Sequence, residues 1–239
     1  MNPDPRSWRP QAFGRRKPKD LADALVEPAW DGVRVLAHVG GVRVQFVDAT
    51  GEDLAEAHPE IAAELAASMR ADSLVVDGYL TDQARTSGVG VALDLEEAPG
   101  MSEHMAQFFL GQKGADLVAG RGNIPGKSTA RTVSQVEASA QASALEGPAP
   151  ISFVAIDLLA LDGEPLLEVP LLERKRLLES ALVEGERVRC TPYVREPAGS
   201  FIITWRSAGF GGLAYKTANS RYRPGDPNDD WSLIEMPRR

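Results

Sequence analysis

Residues 26–34, VEPAWDGVR, hold side chains from which chemistry could be built: a carboxylate at Glu27, a tight Asp31-Gly32 turn and a guanidinium at Arg34. The apolar run DALVEPAW leads into the turn and the β-rich RVLAHV leads out of it. A strand, a turn and a second strand would present these side chains to a pocket. The stretch has the outline of a reaction centre without its reactive atom. An Asp-Gly pair also serves any tight β connection, so the turn carries a purely structural reading as well.

The elements that must position these residues are largely β. Val33, Val35 and His38 through Val42, Val44 and Phe46 alternate as a hairpin turning at Gly40-Gly41. Residues 19–25 are predicted as a short helix that stops before Pro28, because the residue ahead of a proline avoids the α region. Behind Pro59, the apolar residues Ile61, Leu65 and Met69 recur every four positions, which predicts a helix. SLVVDGYL is a β-rich run broken by Asp77-Gly78. ISFVAIDLL, at 151–159, is an apolar run of the sort buried on both faces of a sheet. Asp157 within it needs a partner, either in a pocket or among backbone amides. A turn and a helix follow, with Leu171, Leu172, Leu177, Leu178 and Leu182 on the apolar side.

Residues 81–150 are the least regular and are expected to be an insertion or long connection, with a strand at 88–95 and a helix at 102–110 capped by Ser102. The Ala-, Ser- and Gln-rich 132–145 is either a weak surface helix or a linker. Gly126-Lys127-Ser128 ends like a phosphate-binding loop, but Arg121 stands where that loop needs its first glycine.

The 239 residues carry a net charge of −8, the opposite of the balance a duplex-gripping protein uses to neutralise phosphates. Local exceptions are Arg6, Arg9, Arg15, Arg16, Lys17 and Lys19. Residues 1–19 are therefore expected to form a basic flexible arm, either a solvated tail or a phosphate-contacting one. No apolar run approaches the roughly 20 residues of a membrane span, and the Pro- and Arg-rich start is no signal peptide. The single cysteine, Cys190, favours a reducing cytoplasm. His38, His58 and His104 are far apart in unlike contexts, so no metal cluster is expected.

VEPAWDGVR resembles the signature of the covalent nucleotidyltransferases, the ATP-dependent DNA ligases with their RNA-ligase and capping-enzyme relatives. In that family a lysine two residues before Asp-Gly attacks the α-phosphate of the nucleotide; here that slot is Ala29. SLVVDGYL is similar to the third motif. ISFVAIDLL and the leucine-rich helix are similar to motif IIIa of the bacterial end-joining ligases and the connection after it. The last segment carries Gly211-Gly212, Lys216, Tyr222-Arg223-Pro224-Gly225 and Trp231 in the order those ligases use.

The resemblance spans roughly residues 20–235 and implies an α+β nucleotidyltransferase fold in residues 20–239, mainly antiparallel sheets packed with helices around a cleft, without the OB-like domain of the ligases. It puts Glu27 near the adenine edge, Asp31-Gly32 at the turn, Arg34 by the ribose and Lys216 towards the phosphates. Against these stand altered slots: Ala29 for the nucleophile, Ala49 for an arginine, and Tyr79 for the carboxylate after Asp-Gly. Ile156 replaces the aromatic that stacks on the base, Gly211 a glutamate, and Leu233 and Glu235 the lysines of the last strand. Magnesium needs oxygen ligands, so no metal is expected, and the transferring phosphate lacks cations. Changes scattered over so many blocks point to a chain that has drifted from adenylyl transfer rather than to one engineered knock-out. The expectation is a degenerate ligase-like protein with weak ATP or AMP binding, partnered by DNA, a DNA-repair protein or a separate chain supplying an OB-like domain. The alternatives are an active ligase of unusual design using Lys216, and an interaction module that binds no nucleotide.

Overall fold

The computed structural model describes residues 4–83 and 151–236. The readings made for 88–95, 102–110, 126–128 and 132–145 lie outside the described residues. At the centre is a sheet of β3 (Val33–Gly40), β4 (Arg43–Asp48), β5 (Ser73–Thr81), β6 (Ser152–Leu161), β7 (Glu164–Pro165) and β8 (Val188–Cys190). The order β4-β3-β5-β6 is antiparallel throughout, while β7 joins β6 antiparallel and β8 joins it parallel. Because side chains alternate between faces, this sheet feeds two cores. Val35, Ala37, Phe153 and Ala155 pack against α1 (Pro59–Ser68) and α2 (Leu171–Ala181), whereas Leu36, Val154 and Ile156 meet a second sheet. That double cover is why β6 is buried from Ser152 to Ala160, as its unbroken apolar run predicts.

The second sheet runs β12 (Trp231–Glu235), β10 (Gly212–Thr217), β2 (Ala24–Pro28), β9 (Val194–Arg195), all antiparallel. α3 (Gly199–Ser207) seals it with the fully buried Trp205. A short parallel pair, β1 (Ala12–Phe13) with β11 (Pro227–Asn228), ties the start of the chain to its end. The hairpin at Gly41, with φ +57, and the helix behind Pro59 form as expected.

Two expectations are overturned. Residues 19–25 are not helical. A 3-10 turn, Pro18–Asp20, gives way at Asp23, whose φ of +46 ends any right-handed helix, and β2 begins at Ala24. Every residue of β2 is buried, and its backbone groups find partners on both edges, β10 and β9. Tertiary pairing overrides the local helical pattern. Nor do residues 4–19 form a flexible arm. Trp8 and Gln11 are buried, Gln11 Oε1 accepts from Arg223 N at 2.6 Å and from Asn228 Nδ2 at 3.1 Å, and Tyr222 Oη accepts from Gln11 N at 2.9 Å. The apolar and amide residues between the basic ones anchor this segment. No helix among the described residues is long and apolar enough to cross a membrane.

The Asp31-Gly32 turn is structural as well as site-forming. Gly32 has φ +127, and a Cβ there would sit 2.2 Å from the carbonyl oxygen of Leu80. Gly32→Ala is therefore expected to cost at least about 1–3 kcal/mol in backbone strain, read as a lower urea midpoint at unchanged m-value.

Candidate functional site

The second sheet and one end of the central sheet enclose a cleft of about 620 Å³, within the range of roughly 300–1,000 Å³ usual for small-molecule sites. Register explains who lines it. Glu27 on β2 lies opposite Ala214 on β10, which lies opposite Leu233 on β12; Gly212 lies opposite Glu235 in the same way. With a side-chain period of two, Glu27, Gly212, Ala214, Lys216, Leu233 and Glu235 share one face, and all line the cleft. Ala29 continues this wall through its N–H to Gly212 O, at 3.0 Å. Tyr79 on β5 and Ile156 on β6 form the facing wall, with Trp30 and Asp31 beside them. Trp30 serves as a wall residue, its indole N–H donating to Thr191 Oγ1 at 2.9 Å and its ring packed edge-on against Phe210.

The floor is ionic. Lys216 Nζ donates to Glu27 Oε2 at 2.7 Å and lies 4.1 Å from the centroid of the Trp231 ring, its cross-strand neighbour. Lys175, reaching in from α2, places Nζ 2.7 Å from the other Glu27 oxygen and donates to Ile156 O at 2.9 Å. One carboxylate thus holds two buried ammoniums. Next to them Arg174 makes a two-pronged pair with Asp157, at 2.9 and 2.7 Å, and also donates to the carbonyls of Val169 and Ser220. Burial drives the Lys216 pKa down to about 8; Glu27 opposes that fall and Lys175 adds to it.

The residues expected to form a site divide by position. Glu27, Asp31, Lys216 and the altered slots Ala29, Tyr79, Ile156, Gly211, Leu233 and Glu235 converge on the cleft; Gly32, Arg34 and Ala49 are not on its walls. Ala49 sits exposed in the turn after β4. Arg34, expected by the ribose, is committed elsewhere. It grips Asp77 through Nε at 2.9 Å and Nη2 at 2.6 Å, donates to Gln11 O at 2.6 Å, and stacks behind the Phe13 and Tyr79 rings that do line the cleft. Asp31 is exposed at the mouth and accepts from Gln83 Nε2 at 3.0 Å.

Arg174 and Lys175 were missed. The signal was present: Leu171, Arg174, Lys175, Leu178 and Leu182 follow the i, i+3, i+4, i+7 pattern of an inward helix face once charged residues are admitted to it.

The ATP dependent DNA ligase domain is matched over residues 122–233. A DNA ligase of Thermococcus onnurineus is 25% identical over 218 residues, which cover 90% of this chain and 32% of that protein. A probable DNA ligase of Streptomyces coelicolor is 26% identical over 219 residues, 90% of this chain and 35% of that protein. The chain is thus similar to ATP-dependent DNA ligases over most of its length. It spans about a third of the length of these relatives. Among solved structures, the mycobacterial DNA ligase D complexed with ATP and MES shares this ligase fold, with a TM-score of 0.59 and 21% identity over 97% of this chain and 61% of that one. The ligase domain of M. tuberculosis LigD superposes with a TM-score of 0.58 at 21% identity, over 97% of this chain and 60% of that one.

The buried amine makes stability depend on pH. The folded pKa of Lys216, about 8, lies below the roughly 10.4 of an unfolded lysine. Between those values the unfolded chain binds more protons, so the contribution of Lys216 to stability improves as pH rises. From pH 7.5 to 9.5 the gain is about 2 kcal/mol. The difference in stability between the parent chain and Lys216→Met, followed by urea unfolding at the two pH values, should carry this rise. Comparing the two chains cancels Cys190 and the tyrosines, whose raised pKa values act in the opposite direction.

Proposed function

We propose that this domain has left adenylyl transfer and serves as a binding or regulatory component in a DNA-repair setting, engaging nucleotide, DNA or a repair protein. The observation that carries this reading is the composition of the cleft wall. Where the resemblance calls for a nucleophilic lysine, carboxylates and terminal-strand lysines, the cleft is faced by Ala29, Tyr79, Gly211, Leu233 and Glu235. Magnesium does not fit the donor set: both Glu27 oxygens face ammoniums that would repel a dication, and no three ligating side chains converge among the described residues. Weak ATP or AMP binding would rest on Lys216, Asp31 and the Glu27 region, with Ile156 covering the base.

A second reading, an active ligase using Lys216 as nucleophile, is favoured by the lowered pKa of that amine. Against it, Glu27 and the Trp231 ring hold the ammonium in place. Calorimetric titration with AMP and ATP tests the binding half of the proposal. The expected result is a Kd of about 0.1–1 mM that magnesium leaves unchanged, whereas the absence of heat at millimolar nucleotide would favour an interaction module. Ala29→Lys tests the chemical half. The variant is expected to remain unlabelled by α-labelled ATP, because one restored amine supplies neither the carboxylates nor the cations. Full labelling of Ala29→Lys would contradict the idea of a chain drifted at many positions.

A further inference from the structure

At the other end of the central sheet, on the same face as Arg34, lies a groove of about 1100 Å³ with no part in the cleft. Register builds its floor. Gln45, His38, Val75 and Ala160 stand side by side across β4, β3, β5 and β6, with Val47 one pleat along. The next row leaves room, because it holds Gly40, where an added Cβ would meet nothing within 4 Å. His38 is four residues from Arg34 on β3, roughly 13 Å along the strand, and the segment carrying Trp8 and Gln11 separates groove from cleft.

The rim is basic in an acidic protein. Arg6 and Arg9 approach from the N-terminal segment and Arg43 from the start of β4. None of the three makes an ion pair among the described residues, whereas Arg16, Arg34, Arg174, Arg187 and Arg195 each have a carboxylate. The acids nearby are already engaged: Asp53 accepts from Gln45 Nε2 and from the backbone of Phe46 and Ala55, and Asp4 caps the N–H of Arg6. His38 Nε2 is buried without a hydrogen-bond partner. At the lip, Val42 is 94% exposed.

Guanidiniums without a carboxylate are strong, geometrically selective sites for carboxylate or phosphate; Arg9, whose Nη1 also donates to Trp8 O at 2.7 Å, is held in place for that role, and the apolar floor decides between a peptide and a phosphodiester. Val47, half-buried, and the remaining surface of the largely buried Val75 and Ala160 suit alternate apolar side chains, which a sugar-phosphate backbone does not offer. Arginine beside a small apolar centre is also the usual makeup of a protein interface. We propose that this groove seats an extended acidic segment of a partner protein, its carboxylates on Arg6, Arg9 and Arg43 and its apolar side chains on the sheet.

The test uses the full chain and fluorescein-labelled short peptides alternating glutamate with leucine. Fluorescence anisotropy should saturate with this peptide. It should weaken at least about tenfold when glutamine replaces glutamate, and equally in the Arg6→Ala/Arg43→Ala double variant, whose two side chains are exposed and belong to neither core. Arg176→Ala, on the outer face of α2, should bind as the parent does. In NMR spectra the His38 ring signals should move on peptide addition while those of His58 stay. The proposal is overturned by a glutamine peptide that binds as well, by a single-stranded oligonucleotide or pyrophosphate that binds more tightly, by an unaffected double variant, or by a lack of saturation.

Discussion

Arg174→Ala should remove about 3–5 kcal/mol of folding stability, among the largest losses a single change can produce in this domain. Arg174 and Asp157 are both fully buried. Truncating the arginine leaves a carboxylate in the core with, among the described residues, only the N–H of Leu158 still donating to it, at 2.9 Å, and strands the carbonyls of Val169 and Ser220. An uncompensated buried charge costs far more than the pair contributes when intact. Joint replacement is the informative control: Arg174→Met with Asp157→Leu should recover much of the loss, because well-packed apolar pairs of similar size often match a buried ion pair. Urea midpoints at fixed pH measure both. If Arg174→Ala were within about 0.5 kcal/mol of the parent, the ionic floor of the cleft would not be structural.

Glu27→Ala is expected to be comparably severe, about 3–5 kcal/mol, and to act on chemistry as well. The glutamate is the shared counter-ion of Lys175 and Lys216, so its removal leaves two ammoniums close together in a dry site. Since Glu27 is the partner that raises the proton affinity of Lys216, the pKa of that lysine should fall further. The protein should lose stability most at neutral pH and recover part of it towards pH 9 as the amine sheds its proton. Unfolding followed at both pH values, together with direct titration of the lysine by NMR, checks this. A Glu27→Ala protein whose Lys216 titrates no lower than in the parent would show that the pairing described here does not set the electrostatics of the floor.

How legible all this was depended on which physical signal each element carried. Alternation exposed β3 and β4, and the long apolar run exposed β6, because burial on one or two faces writes itself directly into a strand. The same period of two gathers positions as distant as Glu27, Gly212 and Leu233 onto one wall, so motifs spaced along the chain become neighbours. Residues 19–25 failed because β2 owes its conformation to β10 and β9, partners that lie far away in sequence. The N-terminal segment failed because its charges were weighed and Trp8 was not, although a single buried indole and the amide of Gln11 fix it to the body. α3 went unread altogether: the run FIITW is β-branched and aromatic, and it is helical because Trp205 packs into the core. Arg174 and Lys175 went unread because the inward face was sought among leucines alone, yet Asp157 and Glu27 draw them inward. Arg34 holds its motif position only by resemblance, and its partner Asp77 keeps it behind the cleft wall rather than on it.

The proposed function holds that this domain keeps the cleft of an AMP-carrying protein without the groups that make AMP covalent. Incubation of the unmodified chain with α-labelled ATP and magnesium, followed by denaturing electrophoresis and intact-mass analysis, tests that claim most directly. The account predicts no label on the denatured band and an unchanged mass. A stable, acid-labile adenylate on any side chain, Lys216 foremost, would contradict it.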